Sequence, residues 1–439
     1  MLRHRLVLLI VPVLALALFA GCSSEARAPQ HAILVTVDTL RPDRLGAYGD
    51  ETAESPQIDL LARQSIRFER AYSHSSMTVP AMATLFSGQL PAVHAMHTNR
   101  RGPKPRFRDL PTLATRLHDE GFATAAFVGS YVLRPDRGFD RGFDRYREAE
   151  RVREHPQNLA GPLTDKAIAW LVERDPSSRL FLWIHYQEPH GPYIPPDFDP
   201  GAVAPPRTDD VILPQNDTHS GYDGIPKYQW LGHGRLEEYE ARYAGEIRTF
   251  DRHLGRLIDV LDELGILDSS VLVFTSDHGE SFGEDDLYCA HGEGLGESLL
   301  RVPLLLRVAS GHPGVRKDRV RLIDVARTML ELLEVDAQGF GGQSLLEPRG
   351  DRPVVAQVTD VSDRPWRSVH VKGSELRQRK GHAAELIGER FPGSTSGVAD
   401  LQAKLAAALD AQAPWPEEQP RLAVPAEEEA ALRSLGYVE

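Results

Sequence analysis

Four residues of this chain have the types and settings from which a metal-assisted ester chemistry can be assembled. Asp38 closes the apolar run "AILVTVD", and Asp277 with His278 closes "SVLVFTSD" just before Gly279. Such runs read as strands buried on both faces, and in open α/β sheets ligands gather beyond the carboxyl ends of the strands. Thr78 stands in "SSMTVPAMATLFSG", a small helix entered from a hydroxyl-rich loop. Pro80 suits a first helical turn there and a threonine suits the cap. Free N–H groups and the dipole at such a helix start favour an anion. Carboxylate, hydroxyl, carboxylate and imidazole around one point suit a divalent cation that polarises an ester oxygen and lowers the pKa of the threonine hydroxyl. Each residue also has a plain alternative: a turn-forming aspartate, a capping threonine, a turn at "DHG".

The elements that must position these residues alternate. Strand patterns at "AILVTVD", "ATAAFVG", "LFLWIHYQ", "SVLVFTSD" and "VPLLLRVA" are separated by helical spacing. The helices fall in "LPTLATRLHDEG", "LTDKAIAWLVERD", the long "RLEEYEARYAGEIRTFDRHLGRLIDVLDELG" and "RLIDVARTMLELLEV". This alternation predicts an α/β layer structure with a largely parallel sheet. Residues 194–233 interrupt it with a loop rich in proline, aspartate and glycine, which reads as a functional lid or a poorly ordered segment. After about Gly350 the pattern weakens to short strands, a helix in "GVADLQAKLAAALDA" and a Pro/Glu-rich tail.

Composition narrows the function classes. The chain has 439 residues, 41% hydrophobic and 26% charged, as expected of a globular protein with one large domain and a smaller appended one. A net charge of −13 argues against generic nucleic-acid binding. The N-terminus has a basic start, "MLRHR", an apolar stretch too short for a comfortable span, and the ending "LFAGC", which resembles a bacterial lipobox with Cys22 lipidated. The alternative is an ordinary signal peptide or an uncleaved anchor. Ser23 and Ser24 follow without the aspartate that retains lipoproteins on the inner membrane. The expectation is an exported, periplasm-facing lipoprotein on a bacterial outer membrane, tethered by acyl chains. The one other cysteine, Cys289, reads as a packed small residue.

Five segments occur in order: "ILVTVDTLRPDRLGAYG", the Thr78 stretch through "GQLPAVHAM", "IHYQEPHGPY", "VFTSDHGESFGE" and "HGEGLGESLLRVPLLLR". In that order they resemble the sulfatase family of the alkaline phosphatase superfamily, from about residue 32 to 345. The resemblance implies an alkaline-phosphatase-like fold: a central, mostly parallel mixed sheet flanked by helices, with a small C-terminal α+β subdomain. The expected organisation is a leader over 1–22, a tether over 23–31, a catalytic domain over 32–350 and the small subdomain with its tail over 351–439.

Departures from the family pattern bear on the chemistry. Sulfatases carry Cys or Ser, any residue, Pro, a small residue and Arg, and oxidise the first to formylglycine. Here Thr78, Val79, Pro80, Ala81 and Met82 stand in those places, and oxidising a threonine gives a ketone, so no formylglycine is expected. Asp38 is followed by Thr39 in place of a second aspartate, and the family's lysine and histidine after "GFATAAFVG" are absent. The site is similar instead to the lipoteichoic acid synthase branch, in which a threonine is the nucleophile. That likeness places one metal on Asp38, Thr78, Asp277 and His278. An imidazole in the set favours manganese or zinc, with calcium or magnesium as alternatives. His190 in "HGPY" matches a histidine that meets the substrate anion or leaving group, and His291 in "AHGEG" is a second candidate, with a loop histidine of no role as its alternative. His185 reads as a satisfied core histidine, His94 as structural, and Arg41 and Arg44 as partners of Asp43.

Three functions follow as expectations. The first is a threonine- and metal-dependent hydrolase or transferase of anionic esters, phosphoesters before sulfate esters. The second is a sulfatase working without formylglycine, and the third a non-catalytic anion-binding lipoprotein. Export makes an envelope glycan or a lipid head group the candidate substrate, with no nucleic-acid partner.

Overall fold

The computed structural model describes residues 28–388 apart from 101–105, 149–158, 204–209, 310, 348–349, 361–363 and 372–373, together with positions 403, 406, 407, 410 and 411. Residues 1–27, on which the expected leader and Cys22 fall, and the tail from 412 lie outside the described residues.

Eight strands form the main sheet: β1 (His31–Val37), β2 (Ile66–Tyr72), β3 (Ala123–Val128), β4 (Arg145–Glu148), β5 (Leu180–Tyr186), β6 (Ser270–Ser276), β7 (Arg301–Val308) and β8 (Gly314–Arg321). Their order is β8-β2-β7-β6-β1-β5-β3-β4. Of the eight, β7 alone runs against its neighbours, and the remaining pairings are parallel. The expected α/β architecture with a mostly parallel mixed sheet is what forms.

The apolar runs at the centre are continuous because both faces are covered. Leu34, Trp183 and Val273 pack with Val79, Met82 and Phe86 of the helix Thr78–Ser87. The alternate residues Val35, Ile184 and Phe274 pack with Tyr243, Phe250 and Leu254 of the long helix Leu236–Glu263. Three strands carry no such run and escape a reading by periodicity. "IRFERAY" (β2), "RYRE" (β4) and "GVRKDRVR" (β8) are rich in charge; β4 and β8 are the sheet edges, and β2 lies beside β8.

Register places the strand-end carboxylates. Val37 of β1 stands opposite both Tyr186 of β5 and Ser276 of β6. The Asp38 amide donates to the Tyr186 carbonyl at 2.9 Å, and the Asp277 amide to the Val37 carbonyl at 3.2 Å. The two aspartates therefore leave the sheet side by side.

A second, antiparallel sheet runs β9 (Val354–Thr359), β10 (Pro365–Val371), β11 (Ser374–Arg379) and β12 (Glu385–Gly388). The helical positions 403, 406, 407, 410 and 411 fall in the segment expected to be a helix. This unit supports the approach to Thr78. The Gln357 amide donates to the His74 carbonyl at 2.9 Å, His74 Nδ1 donates to the Val355 carbonyl at 2.6 Å, and Val354, Ala356 and Val358 share a cluster with Tyr72 and Met77.

Within the described part of 194–233, the stretch around 221–229 is anchored to the body. Ile225 and Gln229 are buried, the Gly221 amide donates to Glu293 Oε2 at 2.7 Å, and the Tyr222 hydroxyl donates to the Glu293 carbonyl at 3.0 Å. Among the described residues no helix is long and apolar enough to cross a membrane.

Candidate active site

Asp38 and Asp277 stand together, fully buried, at the carboxyl ends of β1 and β6. Asp277 is held by one oxygen: its Oδ1 accepts from the amides of His278 at 2.8 Å and Thr39 at 3.2 Å. Thr39 reaches it by taking a φ of 59°, a left-handed conformation that costs a β-branched residue about 1–2 kcal/mol. Where the family pattern has a second carboxylate, this chain uses the Thr39 backbone to fix the carboxylate opposite.

Thr78 is not a cap. The helix begins at Thr78, Met77 occupies the cap position, and no side chain caps it. The Val79 amide is taken by Asn99 Oδ1 at 2.9 Å, and Pro80 has no amide hydrogen, so nothing remains for a capping hydroxyl to bind. Thr78 Oγ1 faces His278 Nε2 instead, at 3.4 Å.

Three imidazoles present the same nitrogen. His278 Nδ1 donates to the Gly279 carbonyl at 2.9 Å, and His190 Nδ1 to the Gly191 carbonyl at 2.7 Å. A carbonyl only accepts, so in each neutral ring the proton is on Nδ1 and Nε2 carries a lone pair. His291 Nδ1 lies 3.2 Å from Glu280 Oε1, which makes the same choice. The rings are contiguous, with centroids 4.9 Å apart for His190 and His291 and 4.7 Å for His278 and His291. The structure thus gathers Asp38, Thr78, His190, Asp277, His278 and His291, drawn from all five sequence motifs. Gly279 is required in "DHG": a Cβ there would lie 2.0 Å from the Ser298 carbonyl oxygen. A Cβ on Gly191 would overlap the Gln229 amide, so the 194–233 segment closes directly on the His190 turn.

His185 departs from its reading as a satisfied core residue. It is buried, and Nδ1 meets Thr36 Oγ1 at 2.8 Å, but Nε2 points at Asp38 Oδ2, 3.5 Å away. Among the described residues, Asp38, His185 and Asp277 form a group whose candidate ligand atoms all lie within 4.8 Å of one another. A ring within an apolar run carries no local mark of this. Glu280 and Gln187, both fully buried beside these residues in sequence, also escaped the motif reading. Other residues behave as expected. His94 is structural, its Nε2 donating to Thr84 Oγ1 at 3.0 Å while Nδ1 accepts from the Met96 amide. Cys289 is buried and free. Arg41 binds Asp43 at 2.7 Å and Glu284 at 2.8 Å, whereas Arg44 pairs with Glu240 and not with Asp43.

Charge is unbalanced in the pocket. Burial pushes the Asp38 and Asp277 carboxyls up to about 6, helped for Asp277 by the charge of Asp38. Burial likewise pushes the Glu280 carboxyl up to about 7, His185 down to about 4, and His190 and His291 down to about 3; it lowers His278 too. Asp38 Oδ1 and Oδ2, Asp277 Oδ2 and His185 Nε2 are buried with no well-formed hydrogen bond. The His278–Asp277 separation fits a shared cation better than a hydrogen bond. His278 Nε2 is 3.5 Å from Asp277 Oδ2 and 3.8 Å from Asp38 Oδ1. Hydrogen bonds to nitrogen favour about 2.7–3.2 Å, whereas ligands about 2.1 Å from one ion stand roughly 3.0–3.5 Å apart. Two buried carboxylates, neutral imidazoles with inward lone pairs and a hydroxyl are a donor set for a divalent cation.

The chain matches the family model "Sulfatase" over residues 30–335. It is 23% identical over 384 residues to an arylsulfatase of Clostridium perfringens, covering 73% of this chain and 79% of that protein. It is 24% identical over 356 residues to the choline-sulfatase of Rhizobium meliloti, covering 70% and 68%. The crystal structure of the phosphonate monoester hydrolase of Agrobacterium radiobacter is similar with a TM-score of 0.68 over 88% of this chain and 95% of that one, at 19% identity, a likeness of fold. The family match spans well over half of the sequence, and the chain belongs to the sulfatase family, ester hydrolases of the alkaline phosphatase superfamily.

Proposed function

We propose that this chain is a metal-dependent hydrolase or transferase of phosphate or sulfate esters with Thr78 as its nucleophile and phosphoester chemistry preferred. The observation that carries the reading is the approach of Thr78 Oγ1 to His278 Nε2 at 3.4 Å, beside two buried carboxylates of which Asp38 Oδ1 and Oδ2 and Asp277 Oδ2 make no well-formed hydrogen bond. Asp38, Thr78, Asp277 and His278 are assigned to one cation, manganese or zinc before calcium or magnesium because of the imidazole donor. Such a cation supplies Lewis acidity and acidifies a hydroxyl bound to it. A threonine does not yield formylglycine, and this sets the preference for phosphoesters.

The side chains then divide the work. Thr78, its proton released to solvent, attacks phosphorus in line; the Oγ1–P bond forms as the bond from phosphorus to the leaving oxygen breaks. His190 hands that oxygen a proton. Burial keeps its ring neutral in the empty site, and the negative charge of an arriving phosphoryl group favours the protonated form. His291, its Nδ1 proton held by Glu280, takes a second proton on Nε2 as the phosphoryl group arrives and donates it to an anionic oxygen of that group. Water or an acceptor alcohol then attacks phosphorus, breaks the Oγ1–P bond and restores the hydroxyl.

Sulfate-ester cleavage by the same threonine is the second reading, supported by relatives named arylsulfatase and choline-sulfatase. The leader supports export and lipidation at Cys22, which would put envelope glycans and lipid head groups within reach. The test uses the mature chain with manganese, zinc or calcium on aryl phosphate monoesters and diesters, a phosphonate monoester and an aryl sulfate. Mass spectrometry of the acid-quenched Thr78 peptide should show a phosphoryl adduct, and Thr78→Ala should lose turnover. Unchanged turnover in that variant sinks the proposal. A sulfuryl adduct alone selects the second reading, and metal binding without any turnover leaves an anion-binding lipoprotein.

A further inference from the structure

His185 has no part in the reading above, yet its surroundings hold it more firmly than a core residue needs. It lies on β5 in register with Thr36 of β1, which puts both side chains on the face that carries the Thr78 helix. Thr36 is itself fixed, because Trp183 Nε1 donates to its Oγ1 at 2.9 Å. The Trp183 ring is in turn wedged against Phe86, with centroids 4.6 Å apart, and Phe143 at 5.8 Å. Helix packing thus sets an indole, the indole sets a hydroxyl, and the hydroxyl sets the imidazole through Nδ1. Second-layer hydrogen bonds of this kind orient ligating histidines.

Two tautomers fit the Nδ1 contact. If Thr36 donates to Nδ1, then Nε2 carries the proton and should bind Asp38 as an ordinary hydrogen bond. The 3.5 Å separation from Asp38 Oδ2 is too long for that, and no hydrogen bond forms. If Nδ1 donates to Thr36, a lone pair on Nε2 faces two buried carboxylates, an arrangement that is repulsive unless a cation lies between them. The same 3.5 Å is the spacing of neighbouring ligands about one ion, and His185 Nε2 belongs to the buried group with Asp38 and Asp277.

We infer that His185 Nε2 is a ligand of the divalent cation that Asp38 and Asp277 hold. The inference rests on the metal-dependent reading and deepens it: the centre takes an imidazole from β5 as well as His278 from the end of β6, and with two nitrogen donors it discriminates against calcium and magnesium.

The test uses the mature chain as wild type, His185→Gln and Thr36→Val. Metal affinity is measured by competition with a chromophoric chelator for Mn²⁺ and Zn²⁺. Coordinated imidazoles are counted by electron spin-echo modulation of the Mn²⁺-loaded protein. The wild type should show two imidazoles and His185→Gln one. Affinity should fall about 100-fold or more in His185→Gln and about 10-fold in Thr36→Val, which removes only the orienting bond. One imidazole in the wild type overturns the inference, as does unchanged affinity in His185→Gln. The wild-type count decides the matter should that variant fail to fold, and melting in chelator shows whether it has. A Thr78 adduct with a single coordinated imidazole sinks the His185 assignment and leaves the proposed function standing. Two imidazoles with no adduct does the reverse.

Discussion

Glu280 Oε1 lies 3.2 Å from His291 Nδ1, and the Tyr193 hydroxyl donates to the other oxygen, Oε2, at 2.8 Å. All three side chains are buried or nearly so, and the carboxylate decides which nitrogen of His291 carries the proton. Glu280→Gln removes the carboxylate that would stabilise a protonated His291, and an amide N–H₂ facing Nδ1 disfavours a proton there. Turnover should fall about 10- to 100-fold with metal content unchanged. Tyr193→Phe keeps the carboxylate and should lose less than about 10-fold. Steady-state kinetics beside metal analysis checks both, and equal losses in the two variants would contradict the relay.

Asp38 and Asp277 compete for the same cost. Burial and the Asp38 charge raise the Asp277 carboxyl to about 6, so above that pH the metal-free pocket holds two buried negative charges. Asp277→Asn keeps the Oδ1 acceptor for the amides of Thr39 and His278 and removes one charge. In chelator at pH 8 the variant should melt above the wild type. With Mn²⁺ at about 100 times its dissociation constant the wild type gains ~2.7 kcal/mol, and the order should reverse. Melting curves with and without metal would show the crossing, and parallel shifts would count against a cation on these carboxylates.

Glu188 predicts a pH window. Its Oε1 accepts from the amides of Leu159 at 2.6 Å and Ala160 at 2.9 Å at the start of the helix Ala160–Glu173, while Oε2 has no partner. Burial raises this carboxyl from 4.5 to about 7. Between those values the folded chain keeps a proton that the unfolded chain has lost, so stability falls as pH rises through the window and then levels off. Glu188→Gln preserves the acceptor and has no proton to lose. Its advantage over the wild type should grow from pH 4.5 to 7 and reach on the order of 2–3 kcal/mol at pH 8, by urea unfolding at each pH. A constant difference across the series would refute the assignment.

Met82 stands where the family pattern has an arginine, and its side chain is fully buried in the cluster with Val79 and Phe86. Met82→Arg would bury a guanidinium without a partner and should cost about 3–5 kcal/mol, read from the denaturant midpoint. A neutral result would mean that the pocket still accommodates the family's arginine.

Much of the site was legible because its signals are local. A strand buried on both faces carries no carboxylate along its run, so the first acidic residue after "AILVTV" or "SVLVFTS" marks a strand end, and Asp38 and Asp277 are legible that way. Motif order was local too, and with it the family. The charged strands β2, β4 and β8 were missed for the converse reason: at or near the sheet edge, period and apolarity fade.

The sequence by itself determined the fold family, the strand-end carboxylates and the threonine that stands where the family pattern has Cys or Ser. Tertiary structure alone decided what Thr78 and His185 face. Thr78 is released from capping by Asn99, which lies outside its helix, and by a proline within it. His185 is turned toward Asp38 by Thr36, 149 residues away in sequence, through a register that no local period encodes. A backbone pattern sets which face a side chain leaves from. Which atom it then meets depends on the neighbouring strand and helix, and only the folded chain supplies those.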